Sequence, residues 1–176
     1  NARDWTSHHL KSLRAWYARA EFFKKYFPVF QRVYSKRWNR LIDLNVFLID
    51  FFLKSLGISK KIYFESKLSI RDEKTDRSVA IGKKLKAKNY LSGVGAKNYL
   101  QESKFESAGI KLVYQNFIHP VYRQLYGKGG DDFIPFLSII DLLFNEGDRS
   151  LGILRGQIKE LKSIPFLQAK GEQKPG

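Results

Sequence analysis

The sequence predicts an α/β fold, in which a basic helical hairpin precedes a small Rossmann-like three-layer β-α-β unit with a mostly parallel, incomplete sheet. Three observations carry this. Apolar residues recur at helical spacing through residues 1–57, short β-rich runs alternate with helical stretches through 58–145, and a glycine turn joins one such run to a helix start at Tyr90–Leu100. Helical connections of this length favour parallel strands with right-handed crossovers. No repeat or linker divides the chain, so a single domain is expected, with a C-terminal helix over 146–165 and a tail over 166–176.

Thr6 or Ser7 can cap a first helix over 8–26, where Leu10, Leu13, Trp16, Tyr17, Ala20 and Phe23 recur at spacings of three and four. Pro28 breaks and restarts that pattern, so a second helix is expected over 29–56, ended by Gly57. In its second half Asn39, Asp43, Asp50 and Lys54 form one narrow stripe on an otherwise apolar surface, which predicts burial on most sides. Ile62-Tyr63-Phe64 reads as a strand. Lys74–Lys86 reads as a helix with Val79, Ala80, Ile81 and Leu85 inward and Thr75 as a possible cap. Asn89–Ser92 is the next strand, Ala96–Gln101 a helix start, Lys104–Ala108 a short helix closed by Gly109, and Ile110–Asn116 a further strand. Residues 117–135, with Tyr122, Tyr126, Gly127, Gly129, Gly130, Asp131 and Asp132, are expected to form a long loop of the kind that is often a binding lid or disordered. Ser138–Asn145 reads as a buried helix and Asp148–Lys162 as an amphipathic one.

The segment Tyr90-Leu91-Ser92-Gly93-Val94-Gly95-Ala96-Lys97-Asn98-Tyr99-Leu100 is a strand running into a glycine turn that opens a helix. Such turns hold anions, because glycines let backbone N–H groups approach a ligand and a helix start adds unpaired donors. Asn98 stands where the dinucleotide fingerprint needs a third glycine, and no Gly-Lys-Ser/Thr follows, so neither nucleotide motif is present.

Four ordered stretches resemble the WbqC-like family. They are Lys74-Thr75-Asp76-Arg77, Tyr90 through Leu100, Phe105-Glu106-Ser107-Ala108-Gly109-Ile110 with Tyr114-Gln115, and His119-Pro120 through Leu137-Ser138-Ile139-Ile140-Asp141-Leu142-Leu143-Phe144-Asn145. Genes of that family sit in bacterial O-antigen and other surface-polysaccharide clusters. The resemblance therefore implies a cytoplasmic step in building or decorating a sugar, by a transferase that adds an acyl or aminoacyl group. It implies a nucleotide-linked sugar or an acyl or aminoacyl donor as substrate, with no separate cofactor. Family members begin with a strand-forming segment containing His-Gln-Pro-Asn, which this chain lacks; together with the absence of Met and the start at Asn1-Ala2-Arg3-Asp4-Trp5, this reads as a fragment.

Composition bounds the partners. With 43% hydrophobic and 15% aromatic residues, 176 residues can bury a real core, which excludes intrinsic disorder. No cysteine means no disulfide, no thiolate nucleophile and no zinc–thiolate site, and the cytoplasm is the default compartment. The most apolar run, Leu41–Leu53, is interrupted by Asp43, Asn45 and Asp50 and falls short of the ~20 residues a membrane-spanning helix needs. The net charge is +15, and residues 1–61 hold 13 Lys/Arg against 4 Asp/Glu. Such a field attracts nucleic acid, anionic lipid headgroups or phosphorylated small substrates, while cationic faces of solvated helices give the same count.

In a parallel sheet ligands gather beyond the carboxyl ends of the strands. Ser92, Gly93, Gly95 and Lys97 are expected to hold a phosphate or carboxylate there, with Tyr99 on the same segment, Gln115 after the next strand, Lys74, Asp76 and Arg77 at a helix start, and Tyr122 in the long loop. The alternatives are that the glycines serve only backbone angles and that Lys74–Arg77 only caps and charges a helix. His119, held extended before Pro120, suits acid–base work near neutral pH. Asp141, inside an apolar run, needs a helix N-terminus, an arginine or a tyrosine hydroxyl as partner, or else faces the pocket. No zinc or calcium spacing appears, and the adjacent His8 and His9 cannot share a helix face, so no metal is expected. Two further readings stay open: a non-enzymatic module binding nucleic acid or another polyanion through the basic helices, and a scaffold of a glycan-assembly complex.

Overall fold

The structure, a computed structural model, describes residues 4–126 and 133–157 together with the backbone of 163–165. It divides into two compact units, Asn1–Lys60 with Ile118–Gly176 and Lys61–Phe117. The stretch expected to be one α/β part over 58–145 is thus divided after Phe117, and its later portion shares a core with the N-terminal helices.

The first unit begins with α1 (Trp5–Tyr17). Its cap is Asp4 rather than Thr6 or Ser7: the Asp4 carboxylate accepts the Ser7 N–H at 3.0 Å and the Thr6 hydroxyl at 2.8 Å. α2 (Phe23–Ser35) runs straight through Pro28. The lost backbone hydrogen bond is outweighed by what the helix buries, because Tyr26, Phe27, Phe30 and Val33 all face inward, with Phe23 stacked on Phe27 at 4.3 Å. The break expected at Pro28 falls instead between Ser35 and α3 (Leu41–Ser55), where the Trp38 indole N–H donates to the Val33 carbonyl at 2.8 Å and satisfies an acceptor at the end of α2.

α3 also departs from its expected burial. Leu44 is buried, and Leu48, Phe51 and Phe52 pack on the core, but Leu41, Ile42, Phe47 and Ile49 are exposed. α6 (Ile139–Glu146), capped by Ser138, is the buried helix the sequence predicts. Its Phe144 meets Tyr17, Phe23 and Phe30 at ring separations of 5.1–5.8 Å. Gly147 follows in the left-handed region (φ 53°), and a Cβ there would stand 2.3 Å from the Phe22 ring, so only glycine fits. The helix expected to reach Lys162 ends early: α7 covers Ser150–Leu154, and residues 158–162 and 166–176, like 127–132 of the long loop, lie outside the described residues. A strand pair closes the unit, Ile118–Pro120 lying antiparallel to Ser163–Pro165.

The second unit holds α4 (Lys74–Lys84), β1 (Asn89–Ser92), a 3₁₀ turn (Val94–Asn98), α5 (Glu102–Ser107) and β2 (Lys111–Tyr114). β1 and β2 are parallel, in register from Asn89 opposite Lys111 to Ser92 opposite Tyr114. Val79, Phe105 and Ile110 form the core between helices and sheet. The mixed helix–strand character is as expected, but among the described residues this sheet has two strands. Ile62-Tyr63-Phe64 is not the third. It is solvent-exposed, with Lys61 over the Tyr63 ring and Lys67 over the Phe64 ring. Its β-forming residues have no half-buried pleat to fit, which is what β propensity measures.

Candidate functional site

The first unit gathers most of the buried polar side chains: His119, Gln124, Asp141, Asn145, Glu146 and Ser150. Asp141 is at their centre. It lies in the first turn of α6, where the helix dipole favours a carboxylate, and is only 3% exposed. A buried carboxylate requires donors, and it has them. The Tyr122 hydroxyl donates to Oδ2 at 2.7 Å, Gln124 Nε2 to the same oxygen at 3.0 Å, and Asn145 Nδ2 to Oδ1 at 3.2 Å. Tyr17, from α1, lines the same cleft as Asp141 and feels its charge. Burial first, then the nearby Asp141 carboxylate, push the pKa of both Tyr17 and Tyr122 upward, so both phenols stay protonated.

Above this floor lies a cleft of about 320 Å³. Trp16, Leu125, Tyr126, Ile134 and Leu137 form its walls, and Tyr17, Gln124 and Asp141 its polar base. The Trp16 and Tyr126 rings meet edge to face at 5.7 Å, and the Arg19 guanidinium stands 5.6 Å from the centre of the Tyr126 ring. Gln124 fixes one side of the cleft twice over. Its Nε2 donates to the Ile134 carbonyl at 2.9 Å, and the Ile134 N–H donates back to Oε1 at 2.9 Å. A largely apolar cleft with a few convergent polar groups suits a small molecule with an apolar body and one hydrogen-bonding end.

His119 is beside this network but turned to the backbone. The Phe136 N–H donates to Nε2 at 3.2 Å, and Nδ1 lies 2.8 Å from the Pro120 carbonyl, the arrangement of a ring protonated on Nδ1. Tyr122, Phe133 and Phe136 surround it. It holds Phe136 in the left-handed region (φ 62°), which an aromatic residue rarely adopts. Glu146, also buried, accepts the Arg123 N–H at 3.1 Å and pairs with Arg149 at 2.7 Å.

The remaining expected residues fall in the second unit. Ser92 and Gln115 meet at the carboxyl ends of the two parallel strands, the Gln115 N–H donating to the Ser92 carbonyl at 2.8 Å. Lys97 lies over the Tyr114 ring at 5.1 Å, and the side chains of Lys97 and Tyr99 are exposed. Neither Gly93 nor Gly95 has a positive φ, and a Cβ on either would meet nothing within 4 Å. The glycines therefore serve no backbone angle, and the space beside them is open. At the start of α4, Asp76 pairs with Lys104 at 2.6 Å and Arg77 with Glu65, so both charges are matched within the unit. Lys74 is exposed with φ 50°. Thr75 is buried, and instead of capping α4 it accepts the Gln101 N–H at 3.3 Å and donates to the Tyr99 carbonyl at 3.4 Å.

The model of the WbqC-like protein family matches residues 1–153. The chain belongs to the WbqC-like family. A relative, the uncharacterized protein Rv1507c of Mycobacterium tuberculosis, is 29% identical over 154 residues, which cover 86% of this chain. The chain in turn spans 65% of that relative's length. No solved structure matches. Both the Asp141 network and the glycine turn lie inside the region that places the chain among WbqC-like proteins. Trp16, Tyr17, Gln124 and Asn145 are site residues that sequence reasoning did not single out. Tyr17 and Trp16 read as helix-face apolar residues, and only the buried Asp141 signalled that hydroxyl or amide partners were needed.

Proposed function

We propose that this WbqC-like chain is part of a transferase that places an acyl or aminoacyl group on a sugar during bacterial O-antigen or other surface-polysaccharide biosynthesis, a cytoplasmic step. One observation carries the reading: a buried carboxylate, held by one tyrosine and two amides, forms the floor of an aromatic-walled cleft that Tyr17 also lines. The apolar walls suit the body of an acyl group, and the floor suits proton transfer from an attacking nucleophile. The acceptor sugar's hydroxyl or amine attacks the carbonyl carbon of an activated acyl ester. A new O–C or N–C bond forms, and the bond to the leaving group breaks with its electron pair. The nucleophile's proton passes to the Asp141 carboxylate at the base of the cleft, beside Tyr17, and Asp141 then gives it to the departing group. His119 positions Phe136 and stays out of the chemistry. Independently of this cleft, the open glycine turn, with Ser92, Lys97 and Gln115 near it, suits an anion in the second unit.

The test is titration calorimetry and turnover on the full-length protein, using nucleotide-linked sugars and activated acyl and aminoacyl esters. Saturable binding is expected. Asp141→Asn should lower kcat by about 10²-fold or more while binding persists. Absence of binding to any of these compounds, or unchanged turnover in the folded variant, overturns the reading.

A further inference from the structure

Among the residues that line the cleft, Asp141 carries the one formal charge. Its side-chain donors, the Tyr122 hydroxyl and the amides of Gln124 and Asn145, are all neutral. Among the described residues no lysine, arginine or histidine forms an ion pair with it. Neutral donors and the dipole of α6 make the charge tolerable without cancelling it. A carboxylate offers about four acceptor sites, and three donors leave it capacity for one more. In apolar surroundings that remaining field acts strongly on whatever enters.

The walls favour a ligand of the same sign as the floor does. Trp16 and Tyr126, both lining the cleft, present aromatic rings, whose faces attract cations. Tyr126 already holds one in this way, the Arg19 guanidinium. Arg19 is exposed and is not a lining residue, so it supplies no counter-charge at the floor. An anionic ligand would meet the carboxylate with like charge, and a neutral one would leave it uncancelled.

We propose that the cleft selects a ligand bearing an organic ammonium group, whose N–H bonds meet Asp141 while its apolar body lies against Trp16, Leu125, Tyr126, Ile134 and Leu137. The inference rests on the cleft's being the substrate site of the transferase. There the ammonium belongs to an amino-sugar acceptor or to an aminoacyl group, which offer the floor the same chemistry. An acceptor ammonium would also have its base in place: one proton passed to Asp141 frees the nitrogen lone pair.

Titration calorimetry of the whole chain at neutral pH tests this with three probes of one size, benzylammonium, benzyl alcohol and benzoate. Benzylammonium should bind at least about tenfold tighter than the alcohol, the usual worth of a hydrogen bond to a charged group, and benzoate weakest of the three. In Asp141→Asn the preference for the ammonium over the alcohol should fall to within about twofold. Should that variant fail to fold, the ranking in the parent decides alone. Tryptophan fluorescence should change on adding benzylammonium to the parent and not to Trp16→Phe, which locates the site. Glucosamine preferred over glucose assigns the ammonium to the acceptor, and glycinamide preferred over acetamide assigns it to the aminoacyl group. Equal binding of benzylammonium and benzyl alcohol, tighter binding of benzoate, or a preference that survives in folded Asp141→Asn overturns the proposal. Turnover of acyl esters with no ammonium preference sinks this inference alone, whereas ammonium preference without turnover supports it and sinks the transferase.

Discussion

Asn1–Lys60 with Ile118–Gly176 keeps its decisive polar groups inside, whereas Lys61–Phe117 keeps them at the surface, and the two arrangements do different physical work. In the first, Asp141 is enclosed by donors from α6 and the segment around Tyr122, so its geometry is fixed by the same contacts that make its burial tolerable. In the second, the charged pairs Asp76–Lys104 and Arg77–Glu65 are largely exposed, where such pairs contribute at most ~1 kcal/mol and are weakened by salt. The first arrangement holds its polar atoms in one fixed geometry. The second leaves open space beside Gly93 and Gly95, away from its core.

The largest effect that would break this contrast lies in the first unit's core. Phe144 is fully buried among Tyr17, Phe23 and Phe30, so Phe144→Ala should cost ~3–5 kcal/mol in urea unfolding and open the floor beneath the cleft. A loss below 1 kcal/mol would show that the aromatic cluster is not the support described. Next comes alkaline pH. The folded-state pKa values of Tyr17 and Tyr122 lie above the ordinary value of 10.0, so the stability tied to their protonated forms is complete below that pH and is lost as pH rises through the folded values. Unfolding monitored by tryptophan fluorescence should therefore become easier above about pH 10, and less steeply in Tyr122→Phe. The same pH slope in parent and variant would remove Tyr122 from the account. The smallest effect is in the second unit: Gly93→Ala and Gly95→Ala should leave stability unchanged or raise it by ~0.4–1 kcal/mol, since nothing obstructs the new methyl and φ is ordinary. If these variants unfold the protein, the turn is structural and its openness has another cause.

The sequence was informative where one residue's chemistry makes a demand. Asp141 in an apolar run requires partners, and a tyrosine hydroxyl was among the three possibilities; the structure supplies one, from Tyr122. The pairing of Ser92 with Gln115 followed from strand order and a short crossover, both local properties. Other features depended on distant contacts. Tyr17 looked like one more member of an apolar helix face, because nothing near it in sequence signals a carboxylate from α6. Pro28 looked like a helix break, because the aromatic burial that outweighs its missing N–H comes from Phe144. The Ile62–Phe64 run met every local criterion for a strand and lacked the pleated surface on which those criteria rest.

The reciprocal bond between Gln124 and Ile134 has an evolutionary side. It clamps the chain on both flanks of residues 127–132, so the two ends of that stretch are held together whatever lies between them. Doubling the length of a loop held at both ends costs only about 0.6 kcal/mol. A change in the number of residues between the clamps is therefore expected to leave Gln124 where it donates to Asp141, so insertions there should spare the hydrogen bonds beneath the cleft.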